Sequence, residues 1–186
     1  KGSVFLSQLG YVIGDGVLTE VLKEYYNQYV FTHPDPEKFI RVAEKVSGQE
    51  LDWYLMDWAQ TTKTIDYAVV DSEILLSQKT TYCDSLITSG REHEHSLLSL
   101  KRKGEMAIPS DVLIETESGL VKRYHIPLLM SRGHKPLGDD VRLLEPWSWA
   151  KKHYSFDVCV AKESLAKVVV DPLNKSADTD KKNNSI

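Results

Sequence analysis

The chain has 186 residues, 41% hydrophobic and 27% charged, with a formal net charge of -4. This composition belongs to the globular class and excludes wholesale disorder. Its charges are of mixed sign with no basic stripe, which argues against a nucleic-acid partner. No apolar run approaches the roughly 18 residues that a membrane helix needs, so no transmembrane segment is expected.

The opening reads as helix. Val4, Phe5, Leu9, Val12 and Ile13 recur at the spacing of one helical face, and Gly14-Asp15-Gly16 interrupts them with turn-favouring residues. Lys1-Gly2-Ser3 runs almost directly into the apolar face without the cap that usually opens a domain, which predicts a piece cut from a longer protein. Val17, Leu18, Val21, Leu22, Tyr25, Tyr26 and Tyr29 continue the periodicity as a second helix, with the three tyrosines assigned to packing. His33-Pro34-Asp35-Pro36 breaks it, and Asp35 is placed to cap a third helix carrying Phe39, Ile40, Val42, Ala43 and Val46 up to Ser47-Gly48. Glu50 to Ala59 forms a fourth, short helix with a heavy aromatic load in Trp53, Tyr54 and Trp58.

Taken in order, Lys1-Gly2-Ser3-Val4-Phe5-Leu6, Ile13-Gly14, Tyr25-Tyr26 with Tyr29, Pro36-Glu37 with Phe39, Val46 through Trp53, and Asp57-Trp58 resemble the helical end of the catalytic domain in the aminopeptidase N family of zinc metallopeptidases, the gluzincins. The resemblance covers about a third of the chain and concerns only the carboxy-terminal part of such a protein. It implies a parent that removes residues from peptide amino termini. Zinc would activate the attacking water there, the Glu of a His-Glu-x-x-His helix would act as general base, and a Tyr would stabilise the oxyanion. In that family the Tyr precedes a Lys-Gly pair. Here only Lys1-Gly2 stands, so the zinc ligands and the catalytic groups would lie upstream.

From Ile65 the pattern turns to alternation, after the polar stretch Gln60 to Thr64. Tyr67–Val70, Thr81–Ile87, His95–Lys101, Asp111–Thr116, Leu120–Leu128, Ser155–Val160 and Leu165–Val170 read as about seven strands. Glu117-Ser118-Gly119 marks a hairpin turn, and the set predicts an antiparallel β-sandwich. The expected class is therefore α+β, a helical array over 1–62 followed by a sandwich over 63–173. Lys103-Gly104-Glu105-Met106, Pro109 to Val112, Gly119, Ile126-Pro127, Trp147-Ser148-Trp149 and Val170-Asp171-Pro172 are similar to the sandwich that follows the helices in bacterial members of the same family. Residues 174–186 carry few apolar groups and are expected to form a flexible tail.

Few residues suggest chemistry. Arg91 to His95 lacks zincin spacing, because Leu97 and Ser99 stand four beyond His93 and His95. His93 and His95 share one face of a strand and would need a third ligand from elsewhere to hold a metal. An exposed charged strand edge is the preferred reading. His33, His125, His134 and His153 lack partners at recognisable spacing, and Asp139-Asp140 in a loop suits weak cation binding or, preferably, a solvated pair. Trp147 and Trp149 suit an interaction anchor or, preferably, a plug between the helical and strand-rich parts. Cys83 and Cys159 form no Cys-x-x-Cys unit and fit two thiols or one disulfide.

The chain is accordingly expected to supply no catalytic, cofactor-binding or metal-binding residue of its own. Zinc, the peptide substrate and the upstream catalytic domain belong to the parent, and a signal for an exported or periplasmic parent would precede Lys1. The alternative is a non-catalytic binding or scaffold module built on a β-sandwich.

Overall fold

A computed structural model describes residues 2–70, 75–80, 82–83, 86–87, 93–160 and 164–186, and for 75–95 the backbone alone. Four helices come first: α1 (Gly2–Ile13), α2 (Asp15–Tyr29), α3 (Pro36–Ser47) and α4 (Asp52–Gln60). Gly14 by itself makes the first break. Its φ of 98° is one that L side chains rarely adopt, so Asp15 and Gly16 are free to start α2. At α3 the Asp35 carboxylate accepts the Lys38 N–H at 2.9 Å, and Gly48 closes the helix in the left-handed region at φ 69°.

Leu9, Val12, Ile13, Val21, Ile40, Ala43, Leu51 and Tyr54 form the buried face of the array. Full burial of each aliphatic side chain contributes about 1.5–3 kcal/mol. Tyr54 Oη donates to the Phe5 carbonyl at 2.6 Å and its ring lies 5.0 Å from that of Phe5, which ties α4 to α1. Tyr25 and Tyr29 pack as expected. Tyr26 does not, because it points outward and remains 66% exposed.

Among the described residues ten strands follow: β1 (Tyr67–Val69), β2 (Leu75–Thr80), β3 (Tyr82–Cys83), β4 (Leu86–Ile87), β5 (His93–Arg102), β6 (Ser110–Thr116), β7 (Val121–Ile126), β8 (Val141–Leu143), β9 (His153–Val158) and β10 (Leu165–Val170). In one sheet β5 is central, with β9 along one edge and β1 and β2 in tandem along the other. The second sheet runs β10-β6-β7-β8. Leu98, Leu100, Phe156 and Val158 face Val112, Ile114, Tyr124, Ile126, Val168 and Val170 in a sandwich-like core. Gly119, at φ 81°, turns β6 into β7 and donates its N–H to Thr116 O at 2.8 Å.

The stretch read as one strand, Thr81–Ile87, contains two short strands, β3 and β4, that pair antiparallel with each other, and two further strands go beyond the sequence reading. Leu75–Thr80 has no clean alternation, and Val141–Leu143 is only three residues long. The latter joins β7 in parallel, so the sandwich is antiparallel except at that edge. Trp147, 3% exposed, packs edge-on against Tyr67 at 5.4 Å and lies 5.2 Å from the Tyr154 ring, within the buried cluster that joins helices and strands, whereas Trp149 is 60% exposed.

Residues 174–186 also depart from expectation. Ala177 N–H reaches Gln8 Oε1 at 2.7 Å, Thr179 N–H reaches Ile65 O at 2.9 Å, and the Asp178 carboxylate accepts the Tyr67 N–H at 2.9 Å. Asn184 O and Ile186 O then accept from Val170 and Val168 along the outer edge of β10. Ser176, Asp178 and Asn184 are buried. Counting apolar groups misjudges this segment, because its polar side chains and backbone bond to the rest of the fold instead of to water.

Candidate functional site

The densest polar constellation lies where the helices meet the sandwich. Tyr11 comes from the last turn of α1, Asp111 from β6, His125 from its register partner on β7, and Lys135 from the loop between β7 and β8. The Asp111 backbone N–H donates to Tyr11 Oη at 3.0 Å. Its carboxylate takes His125 Nδ1 on Oδ1 at 2.7 Å and Lys135 Nζ on Oδ2 at 2.6 Å. Lys135 Nζ also donates to the Tyr11 carbonyl at 3.3 Å and stands 4.6 Å from the centre of the Tyr11 ring.

Charge states follow from this geometry. Burial pushes the Asp111 carboxyl up, but the hydrogen bond from His125 and the charge of Lys135 outweigh it and hold the group below its ordinary value. Burial, reinforced by Asp111 and Asp171, drives the Tyr11 phenol well above its ordinary range, so it stays neutral. An ionised carboxylate can only accept, which places a proton on His125 Nδ1. His125 Nε2 is buried without a hydrogen-bond partner, and the residue is 1% exposed.

Both Asp111 oxygens are thus engaged, and the set works as an anchor between three elements. A cleft of about 320 Å³ opens beside it, walled by Asp111, Arg123, Lys135, Pro136 and Leu173. The Arg123 guanidinium turns to Asp140 at 2.7 Å. A second cavity of about 300 Å³ lies at the junction of α4 with the strands, between Asp57, Trp58, Lys63, Met106 and Thr179.

The residues singled out in the sequence are dispersed. His33 and His153 are exposed, in the connection between α2 and α3 and at the start of β9. His93 and His95 lie on β5, opposite Thr80 and Gln78, with side chains outside the described set. Asp140 pairs with Arg123 as a surface ion pair, and Cys159 is disulfide-bonded. His125 and His134 do come together, with ring centres 6.2 Å apart. Half of the anchor was reachable from the sequence, since counting back from the Gly119 turn sets Asp111 opposite His125. The approach of Tyr11 and Lys135 has no local signal.

Among the described residues no group of three or more His, Cys, Asp or Glu is placed to hold a metal ion. No described helix is long and apolar enough to cross a membrane. Comparison with protein-family models and with curated proteins finds no match.

Proposed function

We propose that this chain is a non-catalytic scaffold module in which a helical array is braced by a β-sandwich. The observation that carries the reading is continuity. One buried cluster runs from Leu9, Ile40 and Tyr54 of the helices through Ile65 and Met106 to Val112 and Phe156 of the sheets. The Tyr11–Asp111–Lys135 anchor and the 174–186 segment clamp the same junction. Such a body holds a surface in fixed shape for a neighbouring domain.

The order of motifs from Lys1 to Trp58 supports a more specific version, in which the neighbour is the zinc-bearing part of an aminopeptidase-like parent. The disulfide at Cys159 favours an oxidising compartment, and with it an exported parent. The test is an aminoacyl-anilide assay on the purified chain, with added zinc, beside the longer parent protein. The chain alone is expected to show no turnover and the parent to show chelator-sensitive cleavage. Turnover by the chain alone would overturn the scaffold reading, and a parent that is inactive and lacks a His-Glu-x-x-His helix would overturn the peptidase version.

A further inference from the structure

We infer that the end of the sheet where β5 finishes and β9 starts is a docking surface for an acidic, extended segment of a partner protein. The inference goes beyond the scaffold reading and does not rest on it. Two basic runs, Lys101-Arg102-Lys103 and Lys151-Lys152-His153, are far apart in the sequence. Pairing of β5 with β9 brings them side by side. Lys101 stands opposite His153, and the Arg102 N–H donates to the Lys152 carbonyl at 2.8 Å. Neighbouring strands lie about 4.8 Å apart, so the two runs make one patch.

The charges of this patch are turned outward. Lys101, Lys103, Lys151 and Lys152 are exposed, and the lysine ion pairs among the described residues engage Lys38, Lys63, Lys135 and Lys175 instead. Lys152 Nζ donates to the Gly104 carbonyl at 3.0 Å, an acceptor that leaves its charge unneutralised. Of the nearby acids, Glu105 is exposed, Asp66 accepts from Asn183 Nδ2 at 3.1 Å, and Asp157 lies further along β9. Like charges on adjacent strands oppose folding, so this crowding is not explained by stability. On a chain of net charge -4 it sets up a local positive field that attracts carboxylates.

Trp149 supplies the apolar anchor. Its side chain is 60% exposed, yet the loop that carries it is held on both sides. Buried Arg102 donates to the Trp149 carbonyl, Trp147 Nε1 donates to the Lys151 carbonyl at 2.9 Å, and the Lys151 N–H donates to Ser148 O at 3.1 Å. An indole on a loop already fixed loses little freedom on binding, which is how interface anchors are built. The class of partner follows from the same features. Among the described residues β9 pairs with β5 alone, and its other edge is left for a strand of a second protein. Single-stranded nucleic acid needs a row of stacking aromatics and a membrane needs several inserted apolar groups, whereas Trp149 is the lone large exposed apolar residue of 144–153.

The test is fluorescence anisotropy of a labelled peptide that alternates glutamate with leucine, titrated with the intact chain at low and high salt. The acidic peptide is expected to bind, more weakly as salt rises, and its glutamine counterpart is not. Lys103→Glu/Lys151→Glu should weaken binding about 10-fold at low salt. Trp149→Ala should weaken it about 10–100-fold. Lys23→Glu/Lys45→Glu, which makes the same change of net charge on the helices, should leave it unaltered, and circular dichroism should be the same for all variants. Absence of binding by the unmodified chain overturns the proposal. So do equal binding of the glutamine peptide, full binding by either patch variant, an equal loss in the helix variant, and tighter binding of oligo-dT or phosphatidylglycerol vesicles than of the acidic peptide.

Discussion

Tyr67 shows how a single side chain can serve two backbone groups at once. Its hydroxyl donates to the Ile108 carbonyl at 3.0 Å and accepts the Ile108 N–H at 2.9 Å. Burial pushes its pKa up to about 12, so it remains a neutral donor and acceptor throughout the working pH range. Tyr67→Phe strands both Ile108 groups without partners, and chemical denaturation should register a loss of about 1–3 kcal/mol. Asp111 carries a different signature. Its carboxyl titrates below the ordinary unfolded value of about 3.9, so its contribution is fully present above that value and is lost as pH falls through the folded-state pKa. Acid unfolding curves should therefore steepen below about pH 4. In Asp111→Asn that component should vanish, together with about 2–3 kcal/mol at neutral pH from the partners left behind.

At the scale of elements, the close approach between Gly104 and the run into β1 controls how the sandwich opens. A Cβ on Gly104 would lie 2.4 Å from Thr64 O and 2.6 Å from Asp66 N, both backbone atoms. Asp66 O accepts from Lys103 and Gly104 N–H and Thr64 O from Glu105 and Met106 N–H, so neither strand can retreat without breaking its pairing. Gly104→Ala should cost about 1–3 kcal/mol, read as a lowered denaturant midpoint. The helices were the most legible elements, because a 3.6-residue period, the Asp35 cap and Gly48 all reported the same boundaries. The β6–β7 hairpin was legible for a similar reason, with Gly119 fixing its turn. Leu75–Thr80 and Val141–Leu143 were not, since they owe their strand state to β5 and β7 lying alongside and not to any pattern of their own.

For the whole molecule, a boundary near residue 62 marks a change of secondary structure while the buried cluster runs across it. Far-UV circular dichroism, which follows the helices, should therefore unfold at the same denaturant concentration as near-UV signals from the sandwich residues Tyr67 and Trp147. Two separated transitions would show that the parts are independent. The junction was the least legible level. The Tyr11, Asp111 and Lys135 anchor joins residues 100 and 24 positions apart, and no local period encodes such contacts. Composition likewise misread residues 174–186, where backbone and amide groups rather than apolar ones secure the segment.

That last segment has a consequence for synthesis. Gln8 waits for Ala177, a partner 169 residues later, and β10 gains its outer neighbour only from Asn184 to Ile186. During translation at about 5–20 residues per second, the helices emerge many seconds before the stretch that clasps them. Until residues 184–186 have left the ribosome, β10 offers an unpaired strand edge, open to aggregation or to proteolytic clearance.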